Sequence, residues 1–189
     1  MIGNDIVNLT IVNAESNWKR KGYLNKIYSS TEQELIASSL HPDEMVWTLW
    51  SMKEASYKAN NRITKIREYA PSKIFCSIHL VSENIYYGFT NYNDLKFHTR
   101  TYVCKDYIHT IALYDSECFK DVKEMIIKDY PVNYIDYVHK NNYLALSESI
   151  TKDEFGVPNL YNSLTNTTRP ISISHHGNLL SIVINEVKI

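Results

Sequence analysis

The sequence predicts an α+β fold in which antiparallel sheet packs on one long helix. Two observations carry that expectation. The run from Glu44 to about Asn60 contains no Gly or Pro and places Leu49, Met52, Ala55 and Ala59 at helical spacing, behind a His41-Pro42-Asp43 start signal. From Ile74 the pattern changes to four strand-like segments: Ile74 to Val81, Ile85 to Phe89, Lys96 to Cys104 and Tyr107 to Tyr114. Turn residues at Ser82-Glu83-Asn84, Asn91-Tyr92-Asn93-Asp94 and Lys105-Asp106 join them, so they read as an antiparallel meander.

The remaining elements follow in order. Ile2 to Val12 reads as a strand with Ile6, Val7, Leu9, Ile11 and Val12 as its apolar content, and Trp18 to Ile27 as a short helix. Ser29-Ser30-Thr31-Glu32 has the form of a capping box opening another helix. Glu117 to Lys128 is expected to be helical, Pro131 restarts the chain, and Tyr143 to Ile150 is a strand candidate. After a polar loop through Gly156, Pro158 and Asn159, a strand pair runs from Pro170 to Val187, broken at His176-Gly177-Asn178. A boundary near Asp115 separates a first unit, residues 1–115, from a shorter one, residues 116–189. No low-complexity linker or strict repeat divides them, so they are expected to pack as one body.

Composition narrows the function classes. The 189 residues suffice to bury a core without disulfide or metal staples, and 44% hydrophobic with 22% charged residues is a globular balance. Twenty basic against twenty-one acidic side chains, a net charge of -1, argue against a nucleic-acid neutraliser; an anionic partner must be met by a local patch. The densest positive run is Trp18-Lys19-Arg20-Lys21, with Lys26 nearby. Cys76, Cys104 and Cys118 lack paired metal-ligand spacing and read as buried thiols of a reducing compartment. Without an apolar run of ~18 residues or an N-terminal leader pattern, the expected location is cytoplasmic.

Three segments carry candidate chemistry. In Gly3-Asn4-Asp5 a flexible residue precedes a carboxylate at a strand start, which on its own is most simply a turn or cap. Glu54 and Lys58, four apart, share one helix face. They could form a surface salt bridge worth a few tenths of a kcal/mol, or pair a carboxylate for a hard cation with an ammonium for phosphate oxygens. Trp47, Trp50 and Tyr57 crowd the same stretch, which is unusual for a solvated face, although each alone reads as core. Near the C-terminus, Ser172-Ile173-Ser174-His175 alternates into a turn and presents Ser174 and His175 at a strand end.

Taken together, Gly3-x-Asp5-Ile6-Val7, Trp50-x-x-Lys53-Glu54-Ala55-x-x-Lys58-Ala59, Gly156-x-Pro158 and Ser172-Ile173-Ser174-His175 span almost the whole chain. In that order they resemble the 4'-phosphopantetheinyl transferase superfamily. The resemblance implies transfer of the phosphopantetheine arm of coenzyme A to a serine of an apo acyl carrier protein, as in fatty acid biosynthesis, with release of 3',5'-ADP. It implies that Asp5 and Glu54 hold Mg2+, that Lys58 meets the departing phosphate, and that Glu54 or a water on the metal takes the serine proton. Ser174 and His175 would contact coenzyme A phosphates, Gly156-Val157-Pro158 would lie along the adenine, and Lys53 is a further candidate for phosphate contact. A carrier protein with an acidic helix would be received by the Trp18 to Lys21 run or by another basic patch.

The chain departs from the family pattern at two positions. Val7 stands where larger members carry a second carboxylate, which leaves that metal position to water, and Val157 stands where a lysine usually follows the glycine. The motif order is that of the small trimeric holo-acyl-carrier-protein synthase type, yet the chain is longer. The implied architecture is a monomeric pseudo-dimer in which a catalytic lobe, residues 1–115, precedes a smaller lobe, residues 116–189, that adds coenzyme A contacts. A homotrimer is the other arrangement, and a non-catalytic coenzyme A or nucleotide-binding protein on the same fold is the other function.

Overall fold

In the computed structural model, which describes residues 1–114 and 119–186, strand β1 (Ile2–Asn8) opens the chain. Three short helices, α1 (Val12–Glu15), α2 (Tyr23–Ile27) and α3 (Ser30–Ser38), lead to the 23-residue α4 (Pro42–Thr64). Strands β2 (Phe75–Ser82), β3 (Ile85–Tyr92), β4 (Leu95–Val103) and β5 (Tyr107–Tyr114) form the meander. Then come β6 (Val122–Lys128), α5 (Tyr134–Lys140), β7 (Glu148–Lys152), β8 (Pro158–Asn162), β9 (Thr167–His176) and β10 (Leu179–Asn185). The α+β expectation holds: the strands make two five-stranded antiparallel sheets, ordered β1-β5-β4-β3-β2 and β6-β10-β9-β8-β7.

Four sequence expectations need correction. Residues 122–128, expected to end a helix, form β6, because pairing along β10 from Val122↔Asn185 to Lys128↔Leu179 outweighs the helix propensity of Lys, Glu and Met. The Trp18 to Ile27 helix begins only at Tyr23, since Gly22 at φ +78 breaks the backbone, and the basic run lies on the preceding turn. The opening strand stops at Asn8 instead of Val12, and the Tyr143 to Ile150 strand begins only at Glu148. The expected start of the second unit at Asp115–Ser116, as well as Glu117, Cys118 and Val187, lie outside the described residues. Cys76 and Cys104 are half-buried free thiols. Among the described residues no helix is long and apolar enough to cross a membrane.

Helix α4 organises the first sheet. Pro42 occupies its first turn with Asp43 and Glu44, where a fixed φ and negative charge suit the positive helix end, and Lys65 at φ +61 terminates it. Its inner face packs Leu49, Met52, Ala55 and Ala59, all buried, against the sheet. Gly3 lets β1 lie directly on the helix: a Cβ there would collide with the Ala55 carbonyl and come within 2.6 Å of the Ala59 nitrogen. The expected capping box forms, with Ser29 and Glu32 exchanging bonds at 3.3 and 2.7 Å.

The second sheet has its own core, built on Met125, Ile127, Leu160, Ile171, Leu180, Ile182 and Ile184, under Val138 of α5. The two sheets meet where β1 crosses β9 and β10. Ile2, Ile111, Leu113 and Val183 form an apolar cluster there. Beside it the fully buried Asn4 donates its side-chain amide to Ser174 Oγ and Ser181 Oγ, each at 2.9 Å, while its backbone N–H donates to Ser172 Oγ at 2.9 Å. Hydrogen bonds between buried polar groups across a seam favour one register of one sheet on the other, and the Asn4 Oδ1 alone of that side chain has no partner among the described residues.

Candidate active site

Strand β1, helix α4 and the end of β9 converge on one cavity of about 180 Å³, bordered by Asp5, Trp47, Trp50, Glu54, His175 and His176. The convergence follows from local sequence. Residues alternate along β1, so Gly3, Asp5 and Val7 face α4 while Ile2 and Asn4 face the second sheet. Because Gly3 closes the gap to the helix, Asp5 is brought to the stripe of α4 that carries Glu54 and Lys58. Lys58 Nζ donates to the Asn4 carbonyl at 2.8 Å and lies 3.5 Å from Asp5 Oδ1.

Electrostatics mark the same point. The Glu54 carboxyl is pushed up to about 7, first by burial and then by the neighbouring Asp5 carboxylate, with Lys58 and the Tyr69 hydroxyl opposing. Asp5 Oδ2 is buried with no hydrogen-bond partner among the described residues. A buried carboxyl whose ionisation is opposed by a neighbouring carboxylate, itself with an orphaned oxygen, is an arrangement that suits a cation.

A second cavity, of about 140 Å³, lies beside the first and is bordered by Lys58, Arg62, Gly156, Val157, Pro158 and Ser172. Gly156 sits at φ +72, and Asp153 Oδ1 accepts from the Val157 N–H at 2.8 Å, which shapes the loop. Buried Arg62 pins the loop to α4 by donating to the Asn159 side chain at 2.9 Å and to the Pro158 and Ile171 carbonyls. Lys58 and Arg62, four apart on α4, share a face, so their joint presence here was readable from helical spacing.

Not every expected site residue faces these cavities. Lys53 is fully buried away from them: its ammonium is 2.8 Å from Glu32 Oε1 and donates to the Pro71 carbonyl at 3.1 Å and to the Ile74 carbonyl. All its donors are engaged in tying α4 to α3 and the start of β2, so the expected phosphate contact by Lys53 is corrected to a structural ion pair. Ser174 is buried in the Asn4 seam, whereas His175 is exposed and borders the Asp5–Glu54 cavity. In the basic run, Lys19, Arg20 and Lys21 are all exposed, and Lys19 lies 3.3 Å from Asp43, which also accepts from Trp18 Nε1.

A family model described as the 4'-phosphopantetheinyl transferase superfamily matches residues 1–112. The chain belongs to that superfamily. The matched segment contains β1 and α4, and with them Asp5, Glu54 and Lys58, while Gly156-Val157-Pro158 and the Ser174-His175 end of β9 lie beyond it. A comparison with curated proteins returned no match. The protein is thus a transferase of the phosphopantetheinyl kind, a family that uses coenzyme A and Mg2+.

The residues present fit the metal. Among the described residues no group of three or more His, Cys, Asp or Glu could cage an ion. Mg2+ needs no such cage: it takes one or two carboxylates, retains waters and completes its shell with substrate phosphate, which matches a two-carboxylate site open to a cavity.

Proposed function

We propose that this transferase moves the 4'-phosphopantetheine group of coenzyme A onto a serine of an apo acyl carrier protein, releasing 3',5'-ADP. The observation that carries the reading is the meeting of Asp5 and Glu54 at one cavity, with Lys58 3.5 Å from Asp5 at the border of the next and the Glu54 carboxyl raised toward neutrality by burial and by Asp5. Asp5 and Glu54 would hold Mg2+, and Asp5 has one carboxylate oxygen without a partner among the described residues. When bound, the ion supplies positive charge against which the diphosphate of coenzyme A is oriented and its developing charge neutralised. Lys58, anchored on the Asn4 carbonyl, directs its ammonium to the oxygens of the departing phosphate.

The carrier serine attacks the β-phosphorus. Glu54, directly or through a water, takes the hydroxyl proton as the new O–P bond forms. The bond from the β-phosphorus to the bridging oxygen breaks, and its electron pair leaves with 3',5'-ADP. His175 contacts coenzyme A phosphate, with Ser174 behind it, and the Gly156-Val157-Pro158 loop receives the adenine through its backbone beside Arg62. The two sheets are read as the lobes of a monomeric pseudo-dimer, residues 1–115 catalytic and residues 116–189 contributing coenzyme A contacts; the polar seam at Asn4 supports this. Arg20 and Lys21 receive the acidic helix of the carrier.

Release of 3',5'-ADP from coenzyme A and Mg2+ tests the reaction. Release should require the apo carrier and fall on the order of a hundredfold or more in E54Q. Bound coenzyme A with no release across several carriers would instead make the chain a binding protein.

A further inference from the structure

His175 and His176 adjoin in sequence and both border the Asp5–Glu54 cavity, but their chemistry differs. His175 is exposed, its ring 6.3 Å from that of Tyr130. Both nitrogens of His176 are engaged. The Asn8 backbone N–H donates to His176 Nδ1 at 2.9 Å, and a backbone amide can only donate, so Nδ1 bears no proton. The proton of the neutral ring therefore sits on Nε2, which donates to Glu15 Oε2 at 2.6 Å. Neither nitrogen is left to bind phosphate or metal.

The bridge is part of a larger docking. Asn8 Nδ2 donates to Asn178 Oδ1 at 2.9 Å, and Asn178 Nδ2 passes to Asp129 Oδ1 at 2.7 Å. Between them Gly177, at φ +57, is seated so closely that a Cβ would collide with the Ile11 side chain. The β9–β10 turn is thus fastened to the end of β1 and to α1, three residues along the strand from Asp5.

We propose that His176 is a positioning residue: by bridging the Asn8 N–H and the Glu15 carboxylate it fixes the end of β9, where His175 sits, and so sets the affinity for coenzyme A through His175. This rests on the coenzyme A reading above. A phosphate ligand held by a single imidazole at a strand end depends on that end having one position, since displacement by about 1 Å weakens a charge-assisted contact severely.

The test uses the full chain and coenzyme A itself. Trp47 and Trp50 border the cavity, so quenching of their fluorescence reports binding without a carrier. H176L, which can form neither bond, should raise the coenzyme A Kd on the order of tenfold and leave the carrier KM unchanged, at a temperature below its melting point. H176N, whose Oδ1 stands where Nδ1 stood and can accept from Asn8, should return within about threefold of wild type. A folded H176L that binds coenzyme A as wild type does overturns the proposal, as does an H176N no better than H176L. If H176L does not fold, E15A carries the comparison: a rise of about threefold supports the bridge and an unchanged Kd overturns it. Wild-type protein that binds no coenzyme A overturns the functional reading first, and this proposal with it, so the two failures are distinguishable.

Discussion

Two lysines of one motif show how residue-scale physics separates roles that the sequence presents together. Lys53 and Lys58 are about 140° apart around the helix, so only one of them can share the face of Glu54. Lys58 does so, and Lys53 is locked on Glu32. K53A would leave the Glu32 carboxylate buried without its partner and should cost about 3–5 kcal/mol by urea denaturation. E54Q should cost little stability, because it removes a carboxyl whose ionisation is already opposed by its surroundings. That opposition has a sign. Glu54 titrates higher in the folded chain than in the unfolded one, so its contribution is retained at low pH and lost as pH rises through about 7. A cation that relieves the repulsion should therefore raise the melting temperature more at pH 8 than at pH 5.5, and Mg2+ titrations by scanning fluorimetry at the two pH values check this. The helical wheel would have excluded Lys53 from the start, whereas His176 and the orphaned Asp5 oxygen gave no sequence signal, because their partners are distant in the chain.

At the scale of elements, the close approach of β1 to α4 is the feature on which the site depends. G3A should destabilise the protein by about 1–3 kcal/mol, because the helix backbone at Ala55 and Ala59 cannot yield as a side chain can. It should also lower transfer activity by moving Asp5 away from Glu54, which steady-state kinetics on the folded variant would show. The turn before α2 carries the basic run, and R20E/K21E should raise the carrier KM most strongly at low salt while leaving coenzyme A affinity unchanged. An unchanged KM would remove that turn from the docking surface. Helix α4 and the meander were legible because their periodicity is long and uninterrupted. Strand β6 was not. Val122 to Lys128 is rich in helix-forming residues, and only its partner β10, more than fifty residues onward, makes it a strand.

For the whole molecule, the decisive contacts join residues far apart in sequence, from Asn4 to Ser174 and Ser181 and from His109 to Ser181 and Glu124. His109 is fully buried at this seam, its pKa lowered to about 3 first by burial and then by Arg100 and Lys58. The folded ring stays neutral where an unfolded one would take a proton. Stability is therefore lost as pH falls from about 6.5 toward 3, by up to about 1.4 kcal/mol per pH unit from this group. In H109Q that part of the acid sensitivity should disappear, a difference visible in urea midpoints measured across the range. The length of the chain gave the expectation of a second unit, but the polar seam between the sheets could not be read locally, since Ser172 and Ser174 have the sequence context of an ordinary surface strand.

The central claim, transfer of phosphopantetheine by the Asp5–Glu54–Lys58 site, is tested most directly by weighing an intact apo acyl carrier protein after incubation with this protein, coenzyme A and Mg2+. The carrier should gain one phosphopantetheine group, and chelation or E54Q should abolish the gain. An unmodified carrier, or a gain that persists undiminished in E54Q, would contradict that claim.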